Sequence, residues 1–137
     1  MPRTNKLFVY GTLRRGFPLH KHLRTGTVRF LGRAKILGRL FDLGNFPGAL
    51  PSESPANEIE GELYELTSGA QQLKELDEVE EFFPQRPDES LFLRRLTDVE
   101  LESGEKVEAW VYYLAEKPTN ARPIPSGDYS EARRSRS

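Results

Sequence analysis

Only one stretch of this chain carries helical periodicity. In residues 67–81 (TSGAQQLKELDEVEE), Thr67 or Ser68 can cap a helix start. At about 100° per residue, Leu73, Leu76 and Glu80 then fall within roughly 60° of one another. Ala70 and Asp77 flank that stripe, and Gln71, Lys74, Glu75 and Glu78 lie opposite it. The remaining apolar residues are spaced for strands. A chain with one helix cannot build the strand–helix layers of a doubly wound fold, so its sheet must bury apolar faces by curling on itself. The spacing predicts an α+β domain: a small, strongly curled, mostly antiparallel β-barrel-like sheet with few flanking helices.

Residues 6–10 (KLFVY) form a short buried strand that stops at Gly11. Gly16, Phe17 and Pro18 suit a loop, with a short helix at 20–23. From 27 to 43, apolar and basic residues alternate, interrupted by Gly32 and Gly38, which suits two strands or one bent strand. Residues 45–55 are rich in Pro, Gly and Ser and read as a loop. Residues 59–66 (IEGELYEL) alternate, with Ile59, Gly61, Leu63 and the Tyr64 to Leu66 end assigned inward. A loop at 82–90 contains Pro84 and Pro87. Residues 91–101 and 107–114 form a hairpin turned at Ser103-Gly104. The chain after Lys117 carries Pro118, Pro123 and Pro125 and ends in RRSRS. The whole reads as a single domain over 1–129 with a disordered basic tail at 130–137.

Charge is distributed unevenly. Residues 1–41 hold ten Lys and Arg and no acid, whereas 42–116 hold nineteen Asp and Glu against five basic residues. The first third lacks the interleaved aromatics of a base-stacking platform. Basic and acidic strands pairing in one sheet therefore explain the asymmetry better than a nucleic-acid partner. No apolar run reaches membrane-spanning length, and the start is not that of a signal peptide. The chain has no cysteine. That removes disulfides, thiolate nucleophiles and cysteine-bound metal together and is compatible with a reducing cytoplasm, the expected location. His20 and His22 are the two imidazoles, too few for a histidine-rich metal site and placed as surface histidines.

Two features carry chemistry. A carboxylate on a core-facing stripe must be paired, protonated or given a task, unless the helix has frayed into solvent by residue 80; spacing alone leaves both open for Glu80. Tyr10-Gly11-Thr12-Leu13 ends the first strand, where glycine permits a sharp turn and following N–H groups can converge on an anion. That loop matches neither GxxxxGK[ST] nor GxGxxG, and alone it reads as a tight turn.

In combination the segments are more specific. FVYGTLRRG, GRLFDLGNFPGAL, GELYEL, LDEVE, FLRR, AWVYY and IPSGDY occur in this order between Leu7 and Tyr129. This set resembles the γ-glutamylcyclotransferase-like superfamily, including its γ-glutamylamine cyclotransferase and AIG2-like branches. The resemblance implies a compact barrel-like fold with a cavity at one side. It also implies conversion of a γ-glutamyl amine or peptide to 5-oxoproline and free amine, without cofactor or metal. The YG[ST]L loop, here Tyr10, Gly11, Thr12 and Leu13, would hold the γ-glutamyl part, and the glutamate of the LDxxE segment, here Glu80, would be general acid and base. A glutamate partly desolvated by Leu73, Leu76 and nearby aromatics has its pKa raised toward the operating pH. The implied partner is a small γ-glutamyl substrate, with neither membrane nor nucleic acid. The alternative on the same fold is a non-catalytic module binding a small metabolite or a protein.

The chain departs from the family pattern at two places. Phe92-Leu93-Arg94 stands where the family often has a tyrosine two residues before the arginine, and Glu81 replaces a common glycine after the catalytic glutamate. Arg14 and Arg15 read as solvated loop residues, Asp77 as making a local helix or loop hydrogen bond. Trp110, Tyr112 and Tyr113 read as sheet-face packing with one tyrosine able to line the cavity, and Ser126-Gly127-Asp128 as docking the tail.

Overall fold

The computed structural model describes residues 4–10, 28–43, 47–54, 56–66, 72–74, 76–77, 90, 92–116, 121–124 and 127. Among the described residues seven strands are present: β1 (Lys6–Val9), β2 (Val28–Asp42), β3 (Pro47–Pro51), β4 (Glu58–Leu66), β5 (Phe92–Leu101), β6 (Lys106–Leu114) and β7 (Arg122–Pro123). Residues 72–74 and 76–77 are helical. Strands β2, β4, β1, β6 and β5 lie side by side in that order, and a β2–β5 pairing closes them into a five-stranded barrel. Every ladder is antiparallel except β1–β6, where Leu7 sits opposite Trp110.

Strand β2 makes the curl possible. It runs unbroken for 15 residues, so the segment read as two strands or one bent strand is one. Its register against β4 shifts between Phe30 and Gly32, and Gly32 has φ 144°. That is a bulge of the kind that bends a strand, at a backbone angle other residues rarely adopt. Past the bend β2 pairs with β4 as far as Leu37↔Glu58. Against β5 it pairs only at Ala34↔Leu101 and Lys35↔Glu100. The barrel is thus closed by a seam two pairs long, and residues 92–99 of β5 have no β2 partner.

Both sheet faces are buried, which explains the continuous apolar run of β1. Phe8, Tyr10, Ala34, Ile36, Leu63, Val99, Val111 and Tyr113 belong to the barrel interior. Leu7, Val9, Tyr64, Leu66, Phe92, Tyr112 and Leu114 face outward and pack under Leu73 and Leu76 of the helix. Those two leucines are 2% and 0% exposed, worth about 1.5–3 kcal/mol each in transfer free energy. Ile59, Gly61 and Leu63 point inward as the alternation predicts, since Gly61 faces the Phe8 ring. Tyr64 and Leu66 do not: they are buried on the outer face, beneath the helix.

The charge asymmetry resolves within the sheet. Lys35 Nζ lies 3.0 Å from a Glu58 carboxylate oxygen and 3.6 Å from one of Glu100, and Arg29 Nε is 3.9 Å from Glu65. The hydrogen bond Lys35 donates to Glu58 is the main cause of its raised pKa. Exposed pairs of this kind add little stability, but they penalise a one-residue slip that would face like surfaces the wrong way.

Two segments read as irregular contain strands. β3 lies inside the proline-rich stretch 45–55, and its prolines stand at the first and last positions, where a missing N–H costs least. β7 lies within the tail after Lys117. It pairs Pro123 with Phe41 and Arg122 with Asp42, and the Ile124 N–H donates to Leu40 O at 2.8 Å. The docking expected of the Ser126-Gly127-Asp128 segment is observed at Gly127. Its carbonyl accepts from the Glu60 N–H at 2.8 Å, its φ is 71°, and a Cβ there would collide with the Glu58 carbonyl. Residues 130–137 lie outside the described residues.

Candidate active site

Tyr10 is the one described residue of the YGTL segment. Its ring is 6% exposed inside the barrel. The hydroxyl donates to Tyr112 O at 2.5 Å and accepts from the Ala49 N–H at 3.2 Å. One phenol therefore ties the end of β1 to β6 and β3. Replacing Tyr10 by Phe leaves the Ala49 N–H without that acceptor. Equilibrium unfolding is expected to show a loss of about 1 kcal/mol, and unchanged stability would mean the hydroxyl is dispensable. Gly11, Thr12, Leu13 and Glu80 lie outside the described residues, as do Arg14 and Arg15, His20 and His22.

Asp77 is the polar centre of the helix face. It is 8% exposed. Arg94 grips its carboxylate with two bonds, Nε to Oδ1 at 2.8 Å and Nη2 to Oδ2 at 3.2 Å. The Tyr112 hydroxyl donates to the same Oδ1 at 2.6 Å and lies 3.5 Å from Leu73 O. Arg94 and Tyr112 are register partners across β5 and β6, so the hairpin presents a guanidinium and a phenol to one carboxylate. The guanidinium also lies 4.5 Å over the Trp110 ring, a cation–π arrangement. The local bond assigned to Asp77 from sequence is replaced by contacts 17 and 35 residues away. Where the FLR segment offers no tyrosine hydroxyl, Tyr112 supplies one to this carboxylate from the neighbouring strand.

The aromatic trio of β6 divides by face. Trp110 and Tyr112 are outside, with Arg94 and Asp77; Tyr113 is inside, 3% exposed. Burial pushes the Tyr113 phenol up, so it stays protonated, and it shares a hydrogen bond with the Thr97 side chain. Sequence reading passed over Gln72, 1% exposed beside Leu73, and over Thr97 and Arg95. Strand alternation held the signal for the last two, because both share parity with Val99. Among the described residues no three His, Asp or Glu side chains gather as a metal ion would require, and no helix is long and apolar enough to cross a membrane.

Residues 7–131 match the family described as γ-glutamyl cyclotransferase, AIG2-like. The chain belongs to this family. It is 39% identical over 107 residues to the γ-L-glutamyl-butirosin B γ-glutamyl cyclotransferase of Niallia circulans. That match covers 77% of this chain and 64% of the relative, so the chain spans just under two thirds of that enzyme. Among solved structures, an AIG2-like protein of Mus musculus superposes with a TM-score of 0.66 at 27% identity, over 85% of this chain and 82% of the mouse chain. An uncharacterised protein of Pyrococcus horikoshii gives 0.65 at 27% identity, over 96% and 94%. The fold expected from the resemblance is the fold observed.

Proposed function

We propose that the protein is a cofactor-independent cyclotransferase, converting a γ-glutamyl amine or peptide to 5-oxoproline and a free amine. The substrate's unprotonated α-amino nitrogen attacks its own γ-carbonyl carbon, closing a five-membered lactam as the γ-amide C–N bond breaks. Glu80 takes the proton from the attacking nitrogen and returns it to the departing one, so the carboxylate is regenerated each turnover. The backbone at Tyr10 to Leu13 holds the γ-glutamyl part, with N–H groups directed at its carboxylate or at the developing oxyanion. Holding the substrate folded converts much of the barrier into binding.

The observation that carries this reading is the buried helix stripe. Leu73 and Leu76 are against the sheet, Asp77 is bonded to β5 and β6, and the sequence continues the stripe to Glu80, three residues on. Membership of the γ-glutamyl cyclotransferase family supports the same chemistry. The test is release of 5-oxoproline from a panel of γ-glutamyl amino acids, γ-glutamyl amines and glutathione. Turnover of at least one is expected. A folded protein that releases nothing across the panel would instead be a binding module on this fold.

A further inference from the structure

The IPSGDY segment docks the end of the chain, and it does so where the β1–β4 ladder stops. At the start of that ladder the Leu66 N–H donates to Asn5 O at 2.8 Å. Along a strand every second N–H points to the same neighbour. Those of Tyr64, Glu62 and Glu60 therefore share the β1 edge of β4. The register runs through Leu7↔Tyr64 to Val9↔Glu62, and one further bonded pair would set residue 11 against Glu60. Such a pair exchanges both N–H···O contacts, so it would consume the N–H and the carbonyl of Gly11. The acceptor's place is already taken: the Glu60 N–H donates to Gly127 O at 2.8 Å.

Gly127 is fixed there from several sides. Its N–H donates to Ile124 O at 3.0 Å, and the Ile124 N–H donates to Leu40 O at 2.8 Å. Ile124 is 8% exposed and belongs to the same inner cluster as Tyr10. Phe41 faces Gly48 of β3 and Pro123 of β7, so β7 lies on the edge of β2 away from β3. From that edge the segment reaches the far edge of β4, with Ile124 seated in the barrel interior between them. At φ 71° and without a Cβ, Gly127 lies directly against the Glu58 carbonyl, an approach that any other side chain blocks.

We propose that Gly127 is a positioning residue for the substrate site. By occupying the Glu60 N–H it stops β1 from zipping along β4 beyond Val9, and so keeps the backbone N–H of Gly11 available to substrate. This rests on the cyclotransferase reading, which assigns the backbone from Tyr10 to Leu13 to the γ-glutamyl part. An N–H spent on a strand ladder can serve neither a carboxylate nor a developing oxyanion.

The test is Gly127→Ala, whose Cβ cannot share space with the Glu58 carbonyl, so the residue 127 carbonyl must leave Glu60. By NMR, a new cross-strand amide–amide contact between residues 11 and 60 is expected. Retained exchange protection at Leu63 would show that the barrel is intact. On the panel compound that the wild type turns over, kcat/KM is expected to fall about 10–100-fold, the scale of a misplaced substrate-holding group. The loss falls on KM if the Gly11 N–H holds the carboxylate and on kcat if it holds the oxyanion. A merely structural clasp would lower the unfolding midpoint and leave the contact and the kinetics as in wild type. Either readout at its wild-type value overturns the proposal. If Gly127→Ala does not fold, Ile124→Ala loosens the same segment and is judged by the same two readouts. If the wild type turns over no panel compound, the cyclotransferase reading fails on its own. The contact between residues 11 and 60 then decides alone: its appearance in the variant upholds Gly127 as the stop, and its absence overturns it.

Discussion

Glu80→Gln is expected to reduce 5-oxoproline release by about 10²–10⁴-fold, the usual contribution of a positioned acid–base group. Glutamine keeps the size and polarity of the side chain and removes only its ability to carry a proton between the attacking and departing nitrogens. Loss should therefore fall on kcat, with substrate binding by calorimetry close to wild type. Binding that weakens in step with activity would instead make the carboxylate a substrate ligand. A drop of less than fivefold would remove Glu80 from the proton path and turn attention to the other carboxylates of the segment, Asp77 and Glu81. Asp77 is a poor candidate for that duty, since both its oxygens already accept bonds from Arg94 and Tyr112.

The second large effect is at Asp77 itself. Asp77→Ala removes the carboxylate that a guanidinium and a phenol share, and removing one partner of a buried pair costs about 3–5 kcal/mol. The side chains of Arg94 and Asp77 keep 18% and 12% of their exposure, so water can rescue part of the loss and the lower end, about 3 kcal/mol, is expected. Urea unfolding should show a lower midpoint at constant slope. Adding Arg94→Met to Asp77→Ala should recover stability, because the uncompensated charge is then gone. A single-mutant loss below about 0.5 kcal/mol would class the pair with exposed surface bridges.

How much of this was legible in the sequence follows from how local each signal is. Strands β2, β4, β5 and β6 alternate over enough residues to be read directly, β1 shows as a short apolar run ended by Gly11, and the Ser103-Gly104 turn marks its own hairpin. β3 was hidden because its prolines and glycine are turn-formers by propensity; only close packing makes them strand residues, as where Gly48 meets the Leu114 side chain. β7 is two residues long, too short to leave a pattern. The helix stripe announced Leu73 and Leu76, but the partners of Asp77 lie on strands far along the chain, and no spacing rule reaches them. Arg94 and Arg95 are indistinguishable as neighbours in sequence. Only the register against Tyr112 and Val111 assigns one to the outer face under the helix and the other to the inner face.

The short seam has a mechanical consequence. Nine residue pairs join β2 to β4 and nine join β5 to β6. The β5–β6 hairpin, by contrast, has one register pair with β1 and two with β2, and is held besides by the Tyr10 hydroxyl on Tyr112 O, Trp110 Nε1 on Thr4 O and the Glu102 N–H on Arg33 O. Through Arg94 and Tyr112 the hairpin carries the helical residues on its outer surface. The hairpin and the helical residues bonded to it are thus tied as one unit, so a substitution at Asp77 is felt on β5 and β6 together.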